Sequence, residues 1–478
     1  MKKTIFTTLL TVSFASVLFL TGCGQVSAQP GTGTTGMSDI QEKFWQAVKK
    51  GSLDEVKTLF EKGANVNAKD EDGATPIHYA ARNSNVDVLK FLVEKGANVN
   101  AKDKDGVTPL HNAAYDSDNV DVLKFLVEKG ADINAKSKYG WTTIHSAAAF
   151  NSNVDVLKYL VEKDKNINVK DKYGNTPCHF AAKWNNIDVL KYLVEKGANV
   201  NAKNNDNDTP FHYAVGDSNV YKIHIQEGYS YDVLKYLIEK SEDINAKDKH
   251  GVTPFHWLAA YSPEIDFLKD MVEKGADINA KTNDDSTPIL YAAEGRIGNV
   301  KYLVSLGVDV TAKNNTGWTI LHGAVFNNNN RGEENNDVFE YLVSQWVNKN
   351  AENKKDKTPL NKPTFNSKVD VLKFLVSQKL DVNAKNYNGE TLLHKATVCS
   401  NVDLLEYLVS QGAKVNAKDN NGNTPLHEAA KHSYSVDVLK FLIEKGADVN
   451  ATNKEGKTPL DLAGNDEEKK IIRNAGGR

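Results

Sequence analysis

Apolar residues recur from residue 39 onward as pairs of short helical patterns separated by polar turns. Residues 73–105 show the pattern clearly and read GATPIHYAARNSNVDVLKFLVEKGANVNAKDKD. Proline after threonine fits the first turn of a helix, where its missing N–H has no hydrogen bond to lose. The stretch 86–94 places valine and leucine at the spacing of one helix face, and Gly96 suits the left-handed conformation that ends a helix. The unit therefore predicts two short helices joined by turns.

This unit is repeated along the chain. The unit resembles the ankyrin repeat, because it has the same period and begins with the same T-P-L-H string. Strings of the form G-x-T-P-L-H begin, at a nearly constant spacing, at Gly73, Gly106, Gly140, Gly174, Asn207, Gly251, Asp285, Gly317, Asp356, Gly389, Gly422 and Gly456. The resemblance implies an all-α solenoid of helix–turn–helix units with projecting hairpin loops, about 12 units including caps. No single unit buries its apolar faces, so stability depends on stacking between neighbours.

The boundaries of the pattern divide the chain into five segments. Residues 39–72 keep the helix-pair pattern without the T-P-L-H start, and the C-terminal segment becomes strongly charged at Asp466–Lys470. We predict a lipoprotein signal peptide at 1–22, a flexible tether at 23–38, an N-terminal capping unit at 39–72, eleven repeats at 73–455 and a C-terminal capping unit at 456–478.

The N-terminus has the composition of an export signal. Two lysines precede the apolar stretch Ile5–Leu20, which is short for a membrane span. The string Leu20-Thr21-Gly22-Cys23 resembles the lipobox of bacterial lipoproteins, which implies that Cys23 becomes N-terminal and carries acyl chains. We therefore expect a chain that is exported and anchored by lipid to a bacterial membrane, on its periplasmic or cell-surface side. Simple secretion with cleavage after Ala28 is the alternative.

Charge and chemistry indicate a binding protein and not an enzyme. The chain has 59 basic and 62 acidic residues, a balance that offers no footprint for nucleic acid. No phosphate loop, metal cluster or nucleophile–base pattern is visible, so we predict no enzyme activity, no cofactor and no metal site. An enzyme with a site in the insertions 207–250 or 327–355 is the alternative, but the titratable groups there belong to different repeats.

The histidines are explained by the repeat. Nine of the twelve occupy the T-P-L-H position, and the resemblance implies that each hydrogen-bonds threonine and backbone groups between adjacent repeats. Since they occur once per repeat, they cannot converge on one metal ion. They are His78, His111, His145, His179, His212, His256, His322, His394 and His427.

The resemblance also indicates where a protein partner would bind. In this family partners usually contact the concave face, which is formed by the hairpin tips and first helices. We expect Tyr115, Tyr139, Trp141, Phe150, Tyr173 and Trp184 to form one exposed aromatic surface there, with Trp318 and Phe326 as a second, weaker candidate. Packing of these rings on neighbouring hairpins is the alternative.

We therefore predict a monomeric, non-catalytic scaffold that binds protein partners. A secreted or surface-exposed effector that engages host proteins would share the same fold. A purely architectural protein of the cell envelope is favoured instead if the aromatic surface is buried.

Departures from the consensus indicate where the stack weakens. Extra residues lie within 216–231 and 327–336, and Pro363 falls inside an expected helix. We expect the weakest stacking at 317–380. The glycine that ends the second helix is also replaced in four repeats, by Asp164, Ser241, Trp346 and Lys379. A non-glycine residue in the left-handed conformation costs about 1 kcal/mol.

Overall fold

The computed structural model describes most of the repeat region. The described residues divide into two compact units between Lys249 and His250. The described ranges are 39–83, 85–216, 231–325, 341–342, 381–397, 401–432 and 436–478. Several residues that carry predictions lie outside these ranges: Cys23, Phe326, Trp346, Pro363 and Lys379.

Within these ranges the secondary structure is helical, apart from an isolated antiparallel bridge between Lys313 and Thr319. Each regular repeat within the described ranges contributes a first and a second helix. The first helices are Asp39–Lys50, Pro76–Arg82, Pro109–Asp116, Thr143–Phe150, Pro177–Lys183, Pro210–Val215, Pro254–Tyr261, Pro288–Ala292, Ile320–Val325, Leu392–Thr397, Pro425–His432 and Pro459–Leu462. The second helices are Leu53–Glu61, Val86–Glu94, Val120–Glu128, Val154–Lys163, Ile187–Glu195, Tyr231–Lys240, Ile265–Glu273, Ile297–Ser305, Val402–Ser410, Val436–Glu444 and Asp466–Asn474. The all-α prediction is confirmed.

In a regular repeat, the T-P-L-H histidine joins its own helix start to the next repeat. The Nδ1 atom of His78 accepts from the Thr75 N–H and hydroxyl, both at 3.0 Å. Its Nε2 atom lies 3.1 Å from the Val107 carbonyl oxygen of the following repeat, to which it donates. The same pattern recurs at His111, His145 and His179. The inter-repeat role implied by the resemblance is confirmed for these histidines.

A second series of hydrogen bonds joins the loops that follow the second helices. The Asn67 amide nitrogen donates to the Gly96 carbonyl at 2.9 Å, and its amide oxygen accepts from the Asn98 N–H at 3.0 Å. Asn100 makes the equivalent contacts to Gly130 and Asp132 one repeat later. Asparagine side chains therefore join neighbouring repeats at the exposed loops, as histidine side chains join them in the interior.

Asp164 does not take the strained conformation expected from the lost glycine. Its φ is −121°, and the preceding helix extends one residue further than its neighbours, to Lys163. The chain leaves this helix in an extended conformation, so the left-handed penalty is avoided. Left-handed backbone is carried elsewhere by Asn207 and Asp285, which replace the glycine of the G-x-T-P turn.

The stack changes register within the C-terminal unit. The Asn283 N–H donates to the His250 carbonyl, and the Asn315 N–H to the Asp284 carbonyl, as in regular repeats. His322 then lies 3.2 Å from the carbonyl of Asp381, which belongs to a much later part of the chain, whereas a regular histidine such as His111 contacts the repeat that directly follows its own. Most of 317–380 lies outside the described residues, so weak stacking there stays a prediction.

Candidate partner-binding surface

Five of the predicted aromatic residues come together in the N-terminal unit. The Trp141 ring lies 4.4 Å from the Phe180 ring and 6.2 Å from the Phe150 ring, measured between centroids. Tyr139 and Trp184 pack against the same cluster. Phe150 continues the cluster to Tyr115 at 4.5 Å and to Trp184 at 5.2 Å. We call Tyr115, Tyr139, Trp141, Phe150, Phe180 and Trp184 the aromatic cluster.

The turn before the helix places Trp141 inside this cluster. The Ser137 hydroxyl accepts from the Trp141 N–H at 3.1 Å, and the Trp141 carbonyl accepts from the Ser137 N–H at 2.9 Å. The same carbonyl accepts from His111 Nε2. These bonds fix the backbone at the base of the turn. The indole ring of Trp141 lies under the turn, and its centroid is 6.0 Å from that of the imidazole ring of His145 in the same repeat.

The expected exposure of two tryptophans was wrong. Trp141 is 8% exposed and Trp318 is 2% exposed. Both occupy the x position of G-x-T-P, and each ring packs over the histidine four residues later, with Trp318 5.1 Å from His322. Since the position lies under the turn, a large side chain there adds to the core and is not presented to a partner.

Other members of the cluster remain partly accessible. Tyr115, Tyr139, Phe150 and Trp184 are half-buried. Trp184 follows the last turn of its first helix, and the next residue, Asn185, adopts a left-handed φ of 57°. Part of each ring is therefore packed against neighbouring residues, as the alternative expected, while one edge of each ring stays at the surface.

Tyr173 is placed apart from the aromatic cluster, at the tip of the next turn. Its side chain is 52% exposed, and it is the large hydrophobic side chain that stands out as exposed among the described residues. Its N–H donates to the Asp171 carboxylate at 2.8 Å, and its carbonyl accepts from the Asn205 N–H at 2.9 Å. Hydrogen bonds therefore hold the backbone of this turn, and about half of the Tyr173 ring is accessible to solvent.

Cationic side chains border these rings. Lys138 lies 5.8 Å from the Tyr139 ring and 3.9 Å from the Asp105 carboxylate, with its own side chain 62% exposed. Lys183 lies 5.5 Å from the Tyr213 ring. Arg82 is 3.0 Å from the Asp116 carboxylate and 5.6 Å from the Tyr115 ring. Contacts of this kind attract cations to aromatic faces.

Sequence reasoning missed two members of this region. Phe180 is 7% exposed and packs on Trp141, while Tyr213 lies edge-on to Phe180 at 6.4 Å. Both follow the T-P-L-H histidine directly, in successive repeats. An aromatic residue at one repeat position in neighbouring repeats is the signal that would have found them.

The buried titratable groups described next have a structural role. Burial lowers the pKa of His111, His145 and His179 to about 4, against hydrogen bonds that raise it, so the imidazoles are neutral. Burial raises the pKa of the Cys178 thiol to about 12, which makes this cysteine a poor nucleophile.

Two features are absent from the described ranges. No group of three or more histidine, cysteine or acidic side chains there is placed to hold a metal ion. No helix in those ranges has both the length and the apolar character required to cross a membrane.

Comparisons with known proteins agree with this fold. A family model for ankyrin repeats (3 copies) matches residues 44–137, 132–204, 222–314, 258–333 and 330–419, and one for ankyrin repeats (many copies) matches 408–463. The chain belongs to the ankyrin-repeat family. Members of this family are in general non-catalytic modules for protein–protein interaction.

One curated relative shares a short segment. The chain is 69% identical over 29 residues to the Ankyrin repeat and LEM domain-containing protein 1 homolog of Caenorhabditis elegans. The match covers 6% of this chain and 4% of that protein. A segment of this length corresponds to about one repeat, so the match supports only the identification of the repeat.

Proposed function

We propose that this protein is a non-catalytic scaffold that binds a protein partner at its turns and first helices between Tyr115 and Trp184, and that Cys23 anchors it to a bacterial membrane. The observation that carries the first part is the ring of Tyr173, 52% exposed on a hydrogen-bonded turn. Exposed aromatic side chains beside half-buried ones are typical of interface hot spots.

The surroundings favour a partner segment that combines apolar and acidic groups. Phe150 and Trp184 offer half-buried ring edges, and Lys138 and Lys172 are exposed on the turns that precede Gly140 and Gly174. The nearby carboxylate of Asp171 is used inside its own turn, where it accepts from the backbone N–H groups of Tyr173 and Asn175. Lys172 therefore adds a cation to this surface, whereas Lys138 and Arg82 already lie beside the carboxylates of Asp105 and Asp116.

The test compares partner affinity between matched variants of the whole chain. Tyr173→Ala/Trp184→Ala removes two rings from the proposed surface, and Tyr159→Ala/Tyr192→Ala removes two half-buried rings from second helices. We expect the first pair to weaken binding of the captured partner by at least about tenfold, the loss of one hot-spot contact, and the second pair to leave it unchanged. Equal affinity of both variants would exclude this surface.

The anchor is supported by the Leu20-Thr21-Gly22-Cys23 string and by the apolar stretch before it. Several acyl chains together hold a protein stably at a membrane, whereas one binds only marginally. Growth of producing bacteria with an alkyne-bearing fatty acid should label the wild-type chain and leave Cys23→Ser unlabelled. An unlabelled wild type whose mature N-terminus is Gln29 would show simple secretion after Ala28 instead.

The side of the membrane is a separate question. We propose a periplasmic or cell-surface position, which treatment of intact cells with protease would resolve. Cleavage without permeabilisation shows a chain at the cell surface, and protection that is lost on permeabilisation shows a periplasmic one. Protection after permeabilisation of the outer envelope alone would contradict export.

A further inference from the structure

A second aromatic group in the C-terminal unit joins repeats that are not neighbours. Trp257 and Tyr261 lie on the first helix of the repeat that begins at Gly251, and Tyr291 lies on the next first helix. Tyr387 comes from the turn before the repeat that begins at Gly389. Its ring stacks on Tyr291 at 4.1 Å with an interplanar angle of 12°, and it meets Trp257 edge-on at 5.7 Å. The Tyr387 and Tyr261 hydroxyls are 3.0 Å apart.

An ionic group lies beside these rings. The Lys395 ammonium is 3.2 Å from a carboxylate oxygen of Glu294 and 3.2 Å from one of Glu390. The Asn386 amide nitrogen donates to both carboxylates, at 3.0 Å each. The Glu294 side chain is only 8% exposed, so its charge depends on these partners. Burial disfavours the Lys395 ammonium, but the two carboxylates outweigh burial and raise its pKa.

The turn that carries Tyr387 is complete without this contact. The Gly389 N–H donates to the Asn386 carbonyl at 2.8 Å, and the Asn386 N–H donates to the Glu390 carbonyl at 3.0 Å. Toward the following repeat the regular backbone bond is present, from the Asn420 N–H to the Asn388 carbonyl at 2.9 Å. The turn is therefore shaped by its own bonds and by its C-terminal neighbour.

Toward the earlier repeats the turn is held differently. The Lys385 N–H donates to the Thr316 hydroxyl, which itself donates to the Lys385 carbonyl. Further contacts are made by side chains, among them those of Asn386, Tyr387 and Lys395. Side-chain contacts to a preformed surface are the kind that another segment of similar chemistry can replace.

We propose that the side chains of Asn386, Tyr387 and Lys395 cover a second partner-binding surface, formed by Trp257, Tyr261, Tyr291 and Glu294, and that a protein segment with an aromatic ring next to a cation displaces these side chains. Tyr387 supplies the ring that stacks on Tyr291, and Lys395 supplies the cation that neutralises Glu294. The contact is autoinhibitory, because the surface accepts an outside segment only when the internal one leaves. It is independent of the surface around Tyr173, which lies in the other compact unit.

The test uses the full chain labelled with 5-fluorotryptophan and a synthetic peptide of residues 381–395. The fluorine resonance of Trp257 is assigned by its loss in Trp257→Phe, and that of Trp318, buried under its own turn, reports whether the unit remains folded. Tyr387→Ala should move the Trp257 resonance and leave that of Trp318 in place. Adding the peptide should return the Trp257 resonance toward its wild-type position in Tyr387→Ala, at a much lower peptide concentration than any change in wild type requires.

Each other outcome is decisive. A Trp257 resonance that does not move in Tyr387→Ala, a peptide without effect up to its solubility limit, or one that acts equally on wild type would overturn the proposal. A peptide with alanine in place of its tyrosine should be inactive. If Tyr387→Ala also moves the Trp318 resonance, Glu294→Gln takes its place, with Glu273→Gln, at an exposed position of a second helix, as its control.

Discussion

Mild acid should destabilise the N-terminal unit through its buried histidines. The pKa values of His111, His145 and His179 are lowered to about 4 in the folded chain, mainly by burial. In the unfolded chain they return to the ordinary value of about 6.5. The unfolded chain therefore binds protons first as the pH falls. The stabilisation is complete above about pH 6.5 and is lost progressively toward pH 4.

The size of the effect follows from these values. Moving from about pH 7 to pH 5 protonates each histidine almost fully in the unfolded chain and very little in the folded one, which costs about 2 kcal/mol per residue. Three such residues amount to roughly 6 kcal/mol, a large part of the free energy of unfolding of an ordinary domain. Burial raises the pKa of Asp103 to about 6 and that of Asp171 as well, so these carboxyls oppose part of the loss.

Urea unfolding followed by circular dichroism at several pH values measures this dependence. His145→Gln removes one of the three titrating groups, so its unfolding free energy should fall less steeply with acid than that of wild type. A wild type that is equally stable at the two pH values, or His145→Gln with an unchanged slope, would refute the reasoning.

Three further predictions concern packing and reactivity. Trp141→Ala should lower the unfolding free energy by about 3–5 kcal/mol, the usual cost of emptying a buried aromatic site, and half-buried Trp184→Ala by clearly less; a reversed order in chemical denaturation would contradict the burial. Gly295→Ala should lower the unfolding free energy by about 1–3 kcal/mol through overpacking, because the added Cβ would overlap the Ala260 carbonyl oxygen. Gly298 has open space around it, so Gly298→Ala should be tolerated. Equal melting temperatures of the two variants would show that the helices adjust to the added methyl group. Cys178, in a chain whose other two cysteines are replaced by serine, should react with a thiol reagent only on unfolding, and fast reaction in the native chain would contradict its burial.

The parts of the fold that repeat could be predicted from the sequence. Thr75 and His78 make contacts fixed by the local turn and by the next repeat, so the regular period of the sequence specifies them. The exposure expected of Trp141 was wrong because the x position of the turn is buried in repeats that carry small side chains there as well, among them Val107 at 3% and Asn175 at 4%. The repeat pattern does not itself show which turn positions face the core, and a tryptophan there is easily mistaken for a surface residue.

The contact between Tyr291 and Tyr387 was outside the reach of the repeat pattern. A periodic sequence predicts contacts between neighbours, and these two residues belong to repeats that are far apart in the chain. Their contact depends on the change of register after His322, which brings Asp381 into a position that a regular repeat would fill. The insertion 327–336 and Pro363 mark the region in which the pattern breaks, but they do not indicate which distant residues then come into contact.

The position of the partner is the central claim and can be read from a covalent cross-link. A photoreactive benzoylphenylalanine replaces Tyr173, or Tyr159 on a second helix as the comparison, and the producing cells are irradiated. The account predicts a defined protein adduct from position 173 and none from position 159. Adducts from position 159 alone, or from neither position while the partner still co-purifies, would contradict it.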